Sequence, residues 1–191
     1  MKNSLLLGAL LVLAAAAAPR ALAADDGVVG SRGGLSIGGR GAYYKPQDIG
    51  GKWSGGAQVR LGLGSALAVE ASADVRQDRI GPTVVDVIPV QFSLLAYLLP
   101  GKVVSPYLLG GMGWYYTHIS DEAPFGDRTD HRFGPHAGAG LQAWLNRYWS
   151  VDGSYRYIWL SAYRSRDAAH PLGRDIRDRG WMATGALNFH F

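Results

Sequence analysis

His118, Ser120 and Glu122 stand at alternate positions of one segment. Strand side chains alternate, so residues i and i+2 share a face, and a serine beside a histidine and an acid is the grouping that activates a hydroxyl for acyl transfer. The same residues read equally as a strand end running into a loop. A second set is charged: Arg40, Arg60 and Arg156 against Glu70, Asp74 and Asp152. If these share an interior, they must be paired or wet. A third set is Arg164, Arg166, Arg174, Arg177 and Arg179 beside Asp167, Asp175 and Asp178. Guanidinium groups suit bidentate contacts with phosphate or sulfate, and mixed signs equally suit a solvated loop. No metal site and no cofactor are expected.

Eight alternating segments must position these groups. Ser36, Arg40 and Tyr44 oppose Leu35, Ile37 and Tyr43 in the first, near Leu35 to Tyr44. The second, near Trp53 to Leu63, sends Ala57, Val59, Leu61 and Leu63 outward. The third, Ala66 to Val75, sets Glu70, Ser72 and Asp74 against Leu67, Val69, Ala71, Ala73 and Val75. The fourth, near Val85 to Leu98, sets Gln91, Ser93 and Tyr97 against Ile88, Val90, Phe92 and Leu94. The fifth, Pro106 to Ile119, is Gly-rich and apolar on both faces, and its facing is left open. His136, Gln142 and Trp144 oppose Ala137, Ala139 and Leu141 in the sixth, near Phe133 to Leu145. The seventh, Ser150 to Leu160, sets Asp152, Ser154 and Arg156 against Val151, Tyr155, Tyr157 and Trp159. The eighth, Trp181 to Phe191, carries Trp181, Ala183, Gly185, Leu187, Phe189 and Phe191 on one face, and its aromatic ending reads as an outer-membrane insertion signal. One apolar and one polar face per strand is the period-two pattern of a half-buried sheet.

Composition narrows the setting. Lys2, an apolar stretch from Ser4 to Ala18 and Ala21-Leu22-Ala23 make residues 1–23 a secretory signal peptide, with the working domain at 24–191. Removing them takes away Lys2 and Arg20, so the net charge falls from +4 to +2, too little to argue for nucleic acid. There is no cysteine, which excludes disulfides and a lipidated cysteine. No later segment offers the roughly 20 apolar residues of a spanning helix. Glycine, 27 of 191 residues, recurs inside the segments and implies crowded interior packing or rings lying over backbone.

Connection lengths choose between barrels. Gly64 to Ala66, Leu99 to Ser105 and Asn146 to Trp149 are short; Lys45 to Lys52, Arg76 to Val84, Ser120 to Arg132 and Ser161 to Arg179 are longer and carry most of the charge. That alternation is the pattern of an outer-membrane barrel. In a lipocalin-type barrel the polar face would meet water, yet here it is Gly, Ser, Ala and a few charges. Tyr43, Trp53, Trp114, Trp159 and Trp181 gather toward one rim, Tyr97, Tyr107, Trp149, Phe189 and Phe191 toward the other, as interfacial rings do. With Gly64 to Ala66 as the turn, paired residue numbers sum to 130. That register sets Arg60 opposite Glu70 inside the barrel.

Ile88-Pro89-Val90-Gln91-Phe92, Ser105-Pro106-Tyr107 through Tyr116, Tyr155-Arg156-Tyr157 and the final Phe191 resemble the small outer-membrane β-barrel family that includes OmpA, OmpX and OmpW. The resemblance spans the chain after residue 23. It implies an all-β, eight-stranded antiparallel up-and-down transmembrane barrel in the outer membrane, monomeric, presenting four extracellular loops. Barrel-assembly machinery, periplasmic chaperones, outer-membrane lipid, lipopolysaccharide and a surface glycan are the expected partners. A structural or surface-interaction role is expected, ahead of a narrow OmpW-like conduit. The His118–Ser120 pair is similar to lipid A deacylases, also eight-stranded barrels, but its flanking residues do not match them.

Overall fold

The computed structural model describes residues 34–47, 50–80, 83–120, 128–160, 163–167, 170–176 and 179–191. Ten strands follow one another: β1 (Leu35–Pro46), β2 (Lys52–Gly62), β3 (Leu67–Ile80), β4 (Thr83–Tyr97), β5 (Val104–Ser120), β6 (Arg128–Trp144), β7 (Trp149–Ile158), β8 (Tyr163–Asp167), β9 (His170–Ile176) and β10 (Gly180–His190). Eight close into an antiparallel barrel in the order β1-β10-β7-β6-β5-β4-β3-β2, and β8 and β9 pair apart from it. Closure leaves no sheet edge within the barrel, the condition for strands to cross a membrane. Residues 1–23 lie outside the described residues.

Alternation decides what faces in. Along β7 the pattern is strict: Ser150, Asp152, Ser154, Arg156 and Ile158 are buried, and the residues between them are exposed. Phe92, Phe133, Tyr155 and Trp53 are more than half exposed on the outer wall, where lipid rather than water receives them. The fifth segment resolves the same way. Tyr107, Leu109, Tyr115 and Thr117 are buried inside, and Leu108 and Met112 face out. Sequence left this facing open because Gly110, Gly111 and Gly113 erase the contrast between the faces.

Three expected loops hold strand. The stretch Arg76 to Val84 was expected as a loop, yet Arg76 pairs with Val87 and Ile80 with Thr83. Likewise Ser120 and Arg128–Arg132 belong to strands. A charged stretch reads as a loop in sequence, yet the backbone ladder of a strand does not depend on the charge of its side chains. The Ser161 to Arg179 connection, too, holds the β8–β9 hairpin. As a result β3 to β6 run 14, 15, 17 and 17 residues, against 10 to 12 for β1, β2, β7 and β10. A crossing takes about 9–11 residues. One side of the wall therefore stands taller than the membrane.

Short turns close the other end. Gly64 (φ +129°) and Gly101 (φ +78°) take left-handed conformations that other residues resist. Asn146 caps its turn by accepting from the backbone N–H of Tyr148 and Trp149 at 2.8 and 2.9 Å. The lumen is filled rather than open, as about eight strands allow. Ala68, Leu95, Tyr97, Tyr107 and Leu109 form one apolar cluster, and Ala42, Tyr44, Tyr115, Ile158, Leu160 and Met182 another toward the long-loop end. Between them lies a charged band.

Candidate functional site

The charged residues buried among the described ones are Arg40, Arg60, Arg156, Glu70, Asp74 and Asp152, three cations against three anions. β1, β2, β3 and β7 supply them. The pairing is not simply neighbour to neighbour. Arg60 and Glu70 are in register across β2 and β3, with Nη2 2.5 Å from Oε2. Arg60 Nη1 also reaches over the lumen to Asp152 Oδ2 at 3.3 Å. Glu70 Oε1 then meets Arg156 Nη2 at 3.5 Å and Arg40 Nη1 at 3.8 Å. One carboxylate thus faces all three guanidinium groups. Arg40 holds Asp74 with both ends, Nε and Nη2 each donating at 2.9 Å.

Polar neighbours complete the band. Tyr107 donates to Asp152 at 2.9 Å, and Tyr97 to Gln142 at 2.6 Å. Arg156 Nη1 donates to Gln91 Oε1 at 3.2 Å, and Gln91 donates to Tyr115 at 2.9 Å. Ser93 and His136 Nε2 are 2.8 Å apart. Most of these partners share inward parity with the charges in the sequence. Tyr107 and Tyr115 alone lacked that signal, lying on the Gly-rich strand. Buried charges cost several kcal/mol each to desolvate, which explains why so many groups converge on them.

Glycines let the side chains cross. Gly56 sits between Arg40 and Asp74 in register, pairing with both, and a Cβ there would collide with Ala73 O and Asp74. Gly38 separates Gln58 from Asn188 in the same way, and Gln58 donates to Asn188 across it at 2.8 Å. Tyr107 lies over Gly140 on its way to Asp152, where a Cβ would meet the ring. Each of these glycines is a passage from one strand to the next but one.

The other sequence candidates do not gather here. His118 is on the outward parity of β5, in register with Asp86 and Thr129, and its Nδ1 is 3.2 Å from Thr129 Oγ1. Ser120 ends that strand, and Glu122 lies outside the described residues. The backbones of Arg164 and Arg166 are in β8 and that of Arg174 in β9, with Arg164 opposite Asp175 and Arg174 opposite Ser165. Their side chains and all of Arg177 lie outside the described residues. Arg179 is exposed and donates to Gln47 Oε1 at 2.8 Å. At the short-turn end, Phe189 packs its ring against Trp149 and Phe191, each 5.2 Å away between centroids.

A family model described as an outer membrane protein beta-barrel domain matches residues 7–187. The chain belongs to that family. This outer-membrane barrel resembles solved structures of the same class. With Pseudomonas aeruginosa OprG it shares a TM-score of 0.65 at 16% identity, over 86% of this chain and 99% of that one. For the N-terminal barrel of OprF from the same organism the values are 0.60 and 13%, over 85% and 100%. Ail of Yersinia pestis, solved with the heparin analogue sucrose octasulfate, gives 0.55 and 18%, over 83% and 97%. At such identities the likeness concerns the fold. No curated protein sequence matches the chain.

Proposed function

We propose that the protein is a plugged, non-enzymatic barrel of the outer membrane, exported by residues 1–23, that serves a structural or surface-interaction role through four extracellular connections. The observation that carries this reading is the neutral six-charge band that fills the lumen, held between two apolar clusters. General diffusion needs a wet, open path, and this interior offers paired ions and packed side chains instead. His118, bonded to Thr129 on the outer face, gives no support to an acyl-transfer site. The expected surface ligand is a sulfated glycan held by the Arg-rich connection of Arg164, Arg166, Arg174, Arg177 and Arg179. Ail, which shares the fold, was solved with a sulfated sugar.

Planar-bilayer recording of the refolded protein tests the plug. A silent bilayer with folded protein inserted is expected, and sustained conductance steps would overturn it. One observation favours a second reading as an OmpW-like conduit. The cluster of Ala42, Tyr44, Tyr115, Ile158, Leu160 and Met182 makes the long-loop end of the lumen apolar. Uptake of a small apolar solute into vesicles carrying the protein would favour that reading.

A further inference from the structure

The outer wall formed by β7, β10, β1 and β2 carries two cations, a belt of rings and, beneath them, bare backbone. Lys45 and Arg179 are exposed at the long-loop end of β1 and β10. One step inward the rings are in contact: Trp53 with Tyr43 at 5.0 Å, Tyr43 with Trp181 at 5.7 Å, and Trp181 with Tyr155 at 5.3 Å. One step further, Gly55, Gly41, Gly185 and Gly153 stand side by side in continuous register across the four strands.

These glycines differ from those in the lumen. A Cβ on Gly41, Gly55 or Gly185 would meet nothing within 4 Å, and one on Gly153 only a carbonyl oxygen at 3.8 Å. The barrel's own packing does not call for them, although each weakens its strand relative to alanine. What they leave is a shallow trough about 14 Å across, three strand spacings wide, roofed by aromatic rings and overlooked by two cations. Among the described residues, no acidic side chain lies on this face of the four strands.

We infer that this wall seats one lipid A molecule of the outer leaflet. Its phosphate would meet Lys45 and Arg179, its sugar the rings of Tyr43, Trp53, Trp181 and Tyr155, and its acyl chains the glycine trough. Charge complementarity selects an anionic headgroup, since each cation near a membrane surface favours one. Rings with apolar bodies and polar tips suit the sugar–acyl boundary. The long-loop end places the headgroup in the outer leaflet, where the anionic lipid is lipid A. The seat shares Arg179 with the Arg-rich connection. Lys45, the rings and the glycine trough lie outside that connection, so the seat stands whether or not the connection binds a glycan.

The test uses the refolded chain in phosphatidylcholine vesicles doped with bisphosphorylated lipid A, released into mild detergent and weighed by native mass spectrometry. The wild type is expected to retain one lipid A per barrel. Lys45→Gln with Arg179→Gln should cut retention about tenfold or more. Gly41→Leu with Gly185→Leu fills the trough and should do the same, with heat-modifiable gel migration reporting that both variants fold. Equal retention by a folded variant of either kind would overturn the assignment. So would a wild-type dimer that the leucine variant dissociates, which would give the face to a second copy. Should the leucine variant fail to fold, the glutamine variant alone decides.

Discussion

Arg60 Nη2 and Glu70 Oε2 lie 2.5 Å apart inside the barrel, yet they are not an isolated pair, because Glu70 also faces Arg40 and Arg156. An isolated pair would tolerate exchange of its two residues. Here the exchange would set a cation at position 70 against two further arginines. Arg60→Glu with Glu70→Arg is therefore expected to be less stable than Glu70→Gln. Breaking one partner of a buried pair costs about 3–5 kcal/mol, and the exchange should exceed it. Urea titration of the refolded barrel ranks the two variants, and an exchange near wild type would contradict the hub.

Gly55 and Gly56 are sequence neighbours with opposite expectations. Alanine at 56 would strike Ala73 O and Asp74 and obstruct the route from Arg40, so a loss of about 1–3 kcal/mol is expected. Alanine at 55 meets open space and should leave stability unchanged or raise it by about 0.5–1 kcal/mol. The same titrations measure both. Equal effects would mean that the register between β2 and β3 is not as described.

Phe189→Ala removes ring contacts with Tyr148, Trp149 and Phe191 beside the closing β1–β10 seam. Each aromatic pair contributes about 0.5–1.5 kcal/mol. Folded yield by heat-modifiable migration and recovery in the outer-membrane fraction should both fall. Wild-type yield would dismiss the ring cluster as a contributor.

Replacing Arg164, Arg166 and Arg174 with Gln should weaken retention on immobilised heparin without altering folded yield. Wild-type retention should itself decline as salt rises, since exposed charges are screened beyond about 8–10 Å at physiological strength. Retention indifferent to both changes would leave the connection as a solvated, self-neutralising segment.

How far the sequence reaches is clear from particular residues. The turn at Gly64 to Ala66 set a register in which Arg60 faces Glu70, and period-two alternation put Arg40, Asp74, Asp152 and Arg156 on inward parity. Contacts over the lumen were out of reach, because Arg60 to Asp152 depends on barrel curvature rather than strand pairing. The Gly-rich β5 hid Tyr107 and Tyr115. Charged stretches at Arg76 to Ile80 and Arg128 to Arg132 looked like loops because charge in a sequence does not tell whether the backbone continues its ladder. Gly55 and Gly56 are the same letter, and only the fold tells the passage from the trough.

The ion band has a consequence in time as well as in space. Arg60 on β2 meets Asp152 on β7, and Arg156 on β7 meets Glu70 on β3, so these bonds join strands that touch no common hairpin. The hairpins β3–β4 and β5–β6 gain nothing from them while the sheet is still open. They form only when β1 finds β10, a pairing that brings Ser36 to His190 and closes nearly the whole described chain into one loop. Interactions that arrive after the transition state slow unfolding without hastening folding. Removing Asp152, which meets Arg60 only across that closure, should therefore shorten the lifetime of the finished barrel more than it slows assembly.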